Sequence, residues 1–381
     1  MTTNTDELPL ASAGKATASS GHPATLARFS WKQAAVWIIF GLFLVLFPFF
    51  AGKQWLSVGI FGLIISIGAL SLNILSGYTG LASLGHAFFL GIGAYSCAYF
   101  GANLNWSFLL WLPLAGLIAG LIGLFIGVIT LRFHGFYLSI VTLGLVFIGE
   151  YLFTNWKDIS GGVNGRRTPA PALGDFSWAN TSTFGPFELT RDQKYYFLVL
   201  PVTVLLVLFV RNVLRTHTGR AFQAVRDREV AAALMGINVA RTRIIAFVFS
   251  TVLAGICGGL YASYLSYIQP NQWDLNFSIQ FIAMVIIGGI STVNGSIIGA
   301  FFIVALPQII DNYIGLLPFV QAGAGTGGIT ASDFKEIIYA VLLGIFLIFE
   351  PSGLVGIYHR IKARVKRSEF GKRLGIFTGS I

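Results

Sequence analysis

Charge is what this sequence has least of. Only 10% of its 381 residues are Asp, Glu, Lys or Arg, against roughly a quarter in ordinary soluble domains. Cysteine is scarcer still. Cys97 and Cys257 are the only two, which excludes a disulfide-stapled scaffold. Both lie inside apolar runs and read as small buried hydrophobes. The motifs of hydrolysis and metal chemistry are absent as well. Gly14-Lys15, Gly52-Lys53 and Gly371-Lys372 are the only Gly-Lys pairs, and none sits in a G-x-x-x-x-G-K-[ST] loop. Without that phosphate cradle the chain is not expected to hydrolyse ATP itself. Neither H-E-x-x-H nor C-x-x-C occurs, and His22, His86, His134, His217 and His359 are scattered, which leaves a membrane enzyme without a convergent catalytic cluster. Gly323, Gly325 and Gly328 do match G-x-G-x-x-G, but they follow no strand-like run, so a dinucleotide site is not expected there.

What is there in excess is apolar. Hydrophobic residues make up 55% of the chain and the mean hydropathy is +0.76. This excludes a disordered chain and nearly any soluble enzyme of this length, because a soluble interior cannot hold so much apolar side chain. A bilayer can, at about 20 residues per span. Apolar runs place spans near 34–50, 56–75, 82–101, 108–131, 136–155, 195–211, 244–268, 279–293, 296–314 and 335–351. The expected fold is an all-α polytopic helical bundle of about ten transmembrane helices, with eight or nine as alternatives. The 279–314 pair reads either as two crossings or as a re-entrant pair.

The net charge of +10 would in a soluble chain raise the question of nucleic acid. Counting crossings from an inside N-terminus, 18 of the 25 Lys and Arg fall in 1–33, 132–135, 211–243 and 353–381. Cytoplasmic segments of membrane proteins collect these residues. N-inside and C-inside termini follow, and no nucleic-acid partner is needed. Residues 1–33, rich in Ala, Ser and Thr, read as a disordered cytoplasmic tail. They form too long a polar stretch for a secretory signal. The expected organisation is this tail, a transmembrane domain over 34–352 and a basic cytoplasmic tail over 353–381. Within the domain lie an outer loop (156–194) and an inner loop (211–243).

Small residues recur in the spans. Gly116 with Gly120, Gly123 with Gly127, and Gly295 with Gly299 form G-x-x-x-G pairs, and Gly255, Gly258 and Gly259 form another small face. Such residues let helix backbones approach in lipid. After the second span, Ser76, Gly77, Thr79, Gly80, Ser83, Gly85 and His86 interrupt an apolar region. A break of this kind at membrane depth needs protein or a cavity around it. It reads either as a lining of a translocation pathway or as a plain inner turn, and His86 as a hydrogen-bonded structural residue or a proton relay. Glu150, Asp274, Asp311 and Glu350 lie near span ends and form no chain of buried acids, which argues against an ion-driven pump. The inner loop carries seven Arg among good helix formers, so an ordered helix hairpin is expected there. Arg226, Asp227 and Glu229 precede Ala231 and Ala232, and Gly236 supplies a helix stop. This suits docking in a groove of another protein, or else a membrane-surface helix.

Several of these stretches resemble one family. Ala231-Ala232, three residues and Gly236 resemble the coupling loop of ABC importer permeases, although Val230 holds the usual Glu position and Glu229 stands one place early. LSGYTGLASLGHAFFLGIGAY (75–95), RFHGFYLSIVTL (132–143), GGVNG (161–165), RDREVAAALMGIN (226–238) and PSGLVG (351–356) are similar, in order, to branched-chain amino acid permeases of the LivM type, over about residues 56–357. The resemblance implies a pore-forming subunit in a bacterial inner membrane. Its implied partners are a second permease subunit, two cytoplasmic ABC ATPase subunits that bind the ATP, and an extracytoplasmic substrate-binding protein. The chain itself would need no cofactor. The implied substrate is a branched-chain or other apolar amino acid, with urea or a short amide as the alternative and a secondary transporter as a remoter one.

Overall fold

The computed structural model describes residues 31–133, 136–173, 176–178, 182–184, 187–313, 320–321 and 329–330, with 334, 337–338, 340–341, 344–345, 348, 353–357 and 360 beyond them. Most of both expected tails, the Gly323–Gly328 stretch, Glu350 and much of the tenth expected span lie outside the described residues. The chain divides into two units, residues 1–46 and 47–381. Helix α1 (Trp31–Phe50) carries the described part of the first. There Ile39, Leu42 and Phe43 are exposed apolar side chains.

The second unit is built of helices. They are α2 (Lys53–Leu72), α3 (His86–Cys97), α4 (Phe108–Thr130), α5 (Phe136–Asn155) and the single turn α6 (Lys157–Ser160). Then come α7 (Arg191–Arg215), α8 (His217–Asp227), α9 (Glu229–Leu234), α10 (Val239–Leu265), α11 (Leu275–Gly288) and α12 (Val293–Tyr313). Among the described residues six helices are long and apolar enough to cross a membrane: α2 with its extension, α4, α5, α7, α10 and α12. Helix α11, with 14 residues, reaches only about 21 Å, short of the ~30 Å hydrocarbon core. Of the two readings of the 279–314 pair, the lengths suit a half-span turning tightly into a full one.

Glycine sets the packing. Helix α10 lies against α3 and α4 with almost no side chain between the backbones: a Cβ on Gly93 would strike the Gly255 carbonyl, and one on Gly258 the Leu90 carbonyl. Gly116 meets Val252 and Ile256 of α10 in the same way. On the other side, Gly288 of α11 faces Gly295, and Gly299 faces the Met284 carbonyl. The G-x-x-x-G pairs at 116 and 295 are thus packing seams, as small residues in lipid allow. The outward faces are apolar: Leu117, Leu121, Phe125 and Val128 of α4 and Leu205, Leu208 and Phe209 of α7 are all exposed. Only lipid or further protein can cover so continuous a surface. The chain is a multi-pass membrane protein.

Where α10 ends, part of the 156–194 loop is clipped onto it. Arg166–Arg167 pair antiparallel with Tyr267–Ile268. The Arg166 guanidinium donates to the Asp158 and Ile159 carbonyls at 2.8 and 2.5 Å. Arg191, opening α7, donates to the Tyr264 carbonyl (2.9 Å) and the Ser266 hydroxyl (2.6 Å).

Candidate functional site

Residues 211–243 are ordered, with narrower bounds than expected. The Arg-bearing ends extend the flanking helices, α7 to Arg215 and α10 back to Val239, so the connection proper is 216–238. Phe222 and Val225 bury one face of α8. Extended backbone at Arg228 separates α8 from α9. Helix α9 is then held at three points. The Glu229 carboxylate pairs with Arg243 of α10 at 2.5 Å. Ala232 is buried. Gly236, at φ +82°, closes the helix. The amide of Ile237 donates to the Ala232 carbonyl and that of Gly236 to the Ala233 carbonyl, both at 3.0 Å, the bond pair of a Schellman stop. Asn238 caps α10, its Oδ1 accepting from the Arg241 amide at 3.0 Å. With its inner side fixed, α9 presents Val230 (75% exposed), Leu234 (84%) and Met235 (85%) outward, beside exposed Arg226, Asp227 and Arg228.

The Gly-broken stretch divides into two halves that face different neighbours. The first continues α2 as one π-helical run, Asn73–Tyr78, a form common at functional positions. The Thr79 hydroxyl donates to the Ile74 and Leu75 carbonyls, both at 2.8 Å. Ser76 Oγ donates to the Leu81 carbonyl at 3.2 Å, and Gly80 turns the chain at φ +73°. The second half leans on α5: the Leu84 amide donates to Thr142 Oγ1 at 3.0 Å, and a Cβ on Gly85 would strike the Thr142 carbonyl. Gly77, Thr79, Ser83, Gly85 and His86 are buried, Ser76 is half-buried, and Gly80 and Ala82 are exposed. His86 Nε2 lies 3.0 Å from both Ser71 Oγ and the Gly68 carbonyl. Its ring meets Phe281 edge-on at 5.1 Å. At 2% exposure it sits as a hydrogen-bonded interior residue.

The connection and the first half of the break meet at one residue that sequence reasoning passed over. Ser291, in the turn between α11 and α12, has φ +62°. Its hydroxyl donates to the Gly77 carbonyl at 2.6 Å and accepts from the Arg226 guanidinium. Its amide donates to Asn73 Oδ1 at 2.9 Å. Asn73 Nδ2 in turn donates to the Thr292 carbonyl (2.9 Å) and Ser296 Oγ (2.7 Å). The backbone and Cγ of Arg226 also lie over Gly80, with Cγ 3.3 Å from where a Cβ would stand. A junction forms from the π-turn, the α11–α12 turn and the end of α8. Gly353, in the stretch 351–356, packs on it: a Cβ there would stand 2.6 Å from the Gly289 amide. The available signal was the run Gly288 to Gly295 (GGISTVNG), a second polar, Gly-rich interruption like the one after α2.

The acids flagged in the sequence do separate things. Asp274 caps α11, its carboxylate accepting from the Phe277 amide at 2.9 Å. Glu150 is half-buried on α5, and Asp311 is exposed near the end of α12. Asp311 lines an open-sided cleft of about 480 Å³ with Lys53, Asp192 and Tyr264. A second cleft of about 210 Å³ continues it past Phe61. A third, of about 410 Å³ and almost wholly apolar, lies between α3, α4 and α5. None of the three is lined by residues 76–86.

A sequence profile described as "Branched-chain amino acid transport system / permease component" matches residues 55–349. The permease protein LivM of a high-affinity branched-chain amino acid transport system of Escherichia coli (strain K12) is 29% identical over 337 residues, which cover 85% of this chain and 75% of that one. Its counterpart in Salmonella typhimurium is 30% identical over 324 residues, covering 82% and 72%. More distantly, the autoinducer 2 import system permease LsrC of an Enterobacter is 34% identical over 119 residues, covering 30% of this chain and 34% of that one. No solved structure matches.

Proposed function

Because the chain belongs to the family of branched-chain amino acid transport permeases, we propose that it is the pore-forming subunit of an ATP-driven, binding-protein-dependent importer in a bacterial inner membrane. It moves branched-chain amino acids by alternating access. A second permease subunit completes the pore, two cytoplasmic ATPase subunits bind and hydrolyse the ATP, and an external binding protein delivers the substrate. The ends of the bundle are assigned by the Lys and Arg distribution, with the α8–α9 connection inside.

The observation that carries this reading is the pinned helix α9 with its exposed Val230, Leu234 and Met235. A rigid apolar ridge flanked by charges fits a groove in a partner: the apolar trio gives contact area and Arg226, Asp227 and Arg228 give register. Glu229 works inward, through Arg243, to keep the ridge in place. Motion of the ridge would reach the membrane through Arg226, Ser291 and Gly77. The Gly-broken stretch then forms the inner end of the pathway, where Gly80 is exposed.

Uptake by proteoliposomes tests this. The chain is reconstituted with whatever permease, ATPase and binding-protein subunits its neighbouring genes encode, and offered leucine, isoleucine, valine and urea. Leucine uptake requiring both ATP and the binding protein is expected. Urea uptake alone would keep the mechanism and replace the substrate. Transport by this chain without ATPases would overturn the importer reading.

A further inference from the structure

The first two clefts are one groove. They share Phe61, Val304 and Pro307, and they follow α2 lengthwise between α10, α11 and α12. At one end stand Lys53, Asp192 and Asp311, with Gln54 and Gln308 beside them. Further along, the wall becomes aromatic. Phe61 packs edge-on to Tyr264 at 4.8 Å and against Tyr261 at 5.6 Å, and Tyr261 lies 5.6 Å from Phe277. The Tyr264 hydroxyl donates to Ser57 Oγ at 3.2 Å, and both residues line the groove. Deeper still come Ile65, Met284 and Ile303, with the Gln280 amide among them. Beyond Ile65 and Met284 the same two helices run on to Asn73 and Gly289, at the Ser291 junction.

This gradient matches one class of solute. A zwitterion needs a cation and a carboxylate within reach of each other, and the mouth supplies both signs. A branched aliphatic side chain needs an apolar wall, and the aromatic stretch supplies one. The joint volume lies in the range of small-molecule sites, about 300–1,000 Å³. An acyl chain would have no use for the charged mouth. We infer that this groove is the chain's own half of the substrate route: Lys53, Asp192 and Asp311 receive the ammonium and carboxylate groups of an apolar amino acid, and Phe61, Tyr261 and Phe277 form the constriction its side chain passes. This rests on the importer reading above and adds the residues that line the route on this chain.

A single introduced thiol tests it in the complete transporter. Cys97 and Cys257 are fully buried, so the natural chain should be indifferent to a membrane-impermeant, positively charged methanethiosulfonate. Val304→Cys places a thiol of similar size where the two clefts join, and Gln308→Cys places one at the mouth. Rapid modification of Val304→Cys, loss of most leucine uptake, and several-fold slower modification while leucine is being transported are the expected results. Gln308→Cys should be modified as readily even if Val304→Cys assembles poorly. Thiols at both positions that react only with a lipid-soluble maleimide would show a lipid-filled groove and overturn the inference. So would inert thiols that oxidise to a cysteine placed on the second permease subunit, which would show a groove filled by protein. If the unsubstituted assembly shows no ATP-dependent leucine uptake, the importer reading itself fails, whatever the thiols do.

Discussion

Asn73 is a heavily committed polar side chain. Its amide group makes three hydrogen bonds, to Ser291, Thr292 and Ser296, and the side chain is fully buried. Asn73→Ala should therefore destabilise the fold by about 2–3 kcal/mol, because buried donors and acceptors are left unpaired. The buried thiols of Cys97 and Cys257 give the readout, as a thiol-reactive dye responds to them only on thermal unfolding. His86 is a different case. Its one engaged nitrogen already has two partners inside the protein, and the surrounding contacts offer no acid to pass a proton on. His86→Gln, which can still donate to the Gly68 carbonyl, should leave the pH profile of uptake unchanged. A profile displaced or flattened by this substitution would restore the relay.

At the scale of the element, α9 separates holding from contacting. Val230, Leu234 and Met235 are at least three-quarters exposed, so Val230→Ser, Leu234→Ser and Met235→Ser should each change stability by no more than about 0.5 kcal/mol. Affinity for the ATPase should fall about thirty-fold or more, the loss expected when apolar hot spots are removed. Co-purification with the ATPase measures it. Gly236→Leu acts through the stop instead: nothing lies within 4 Å of its Cβ position, but φ is +82°, so the cost is backbone strain of about 1–2 kcal/mol. ATP hydrolysis should persist while uptake falls. Much of this element was readable in advance. The Ala-Ala-x-x-x-Gly spacing announced a short helix with a stop, and the long apolar runs announced α2, α4, α5, α7, α10 and α12 to within a few residues. Less legible were the ends of α7 and α10, because Arg211, Arg215, Arg241 and Arg243 continue a helix that composition alone cuts off at the last apolar residue. The string Ser76 to His86 looked like one feature. Its two halves face the Ser291 junction and α5, a division made by neighbours far away in sequence.

Across the whole molecule, close backbone approach takes the place that a hydrophobic interior has in water. Helix α10 is the axis, and Gly93, Gly255 and Gly258 let it touch α3 and α4. Gly258→Leu should abolish insertion of a stable subunit, since the added atoms would meet the Leu90 backbone, which cannot move aside as a side-chain tip can. A protease-resistant yield in membranes comparable with the parent would contradict this packing. These seams could be suspected from glycine spacing, but which helix each seam faces depends on rotations about helix axes that a linear pattern does not encode. For the same reason the groove along α2 could not be anticipated: its mouth draws Lys53, Asp192 and Asp311 from three distant helices.

The Asn73–Ser291 junction also sets a schedule for biosynthesis. Asn73 lies 219 residues before Thr292, the carbonyl to which it donates. At translation rates of about 5–20 residues per second, some 10–45 s pass before that partner exists. During that interval the π-turn enters the membrane with its amide uncommitted. The early helices must then be sheltered by the insertion machinery or by water at the interface until α11 and α12 arrive. A nascent chain arrested before Leu275 should accordingly be degraded much faster than one arrested beyond Tyr313, although both already carry α2, α4, α5, α7 and α10.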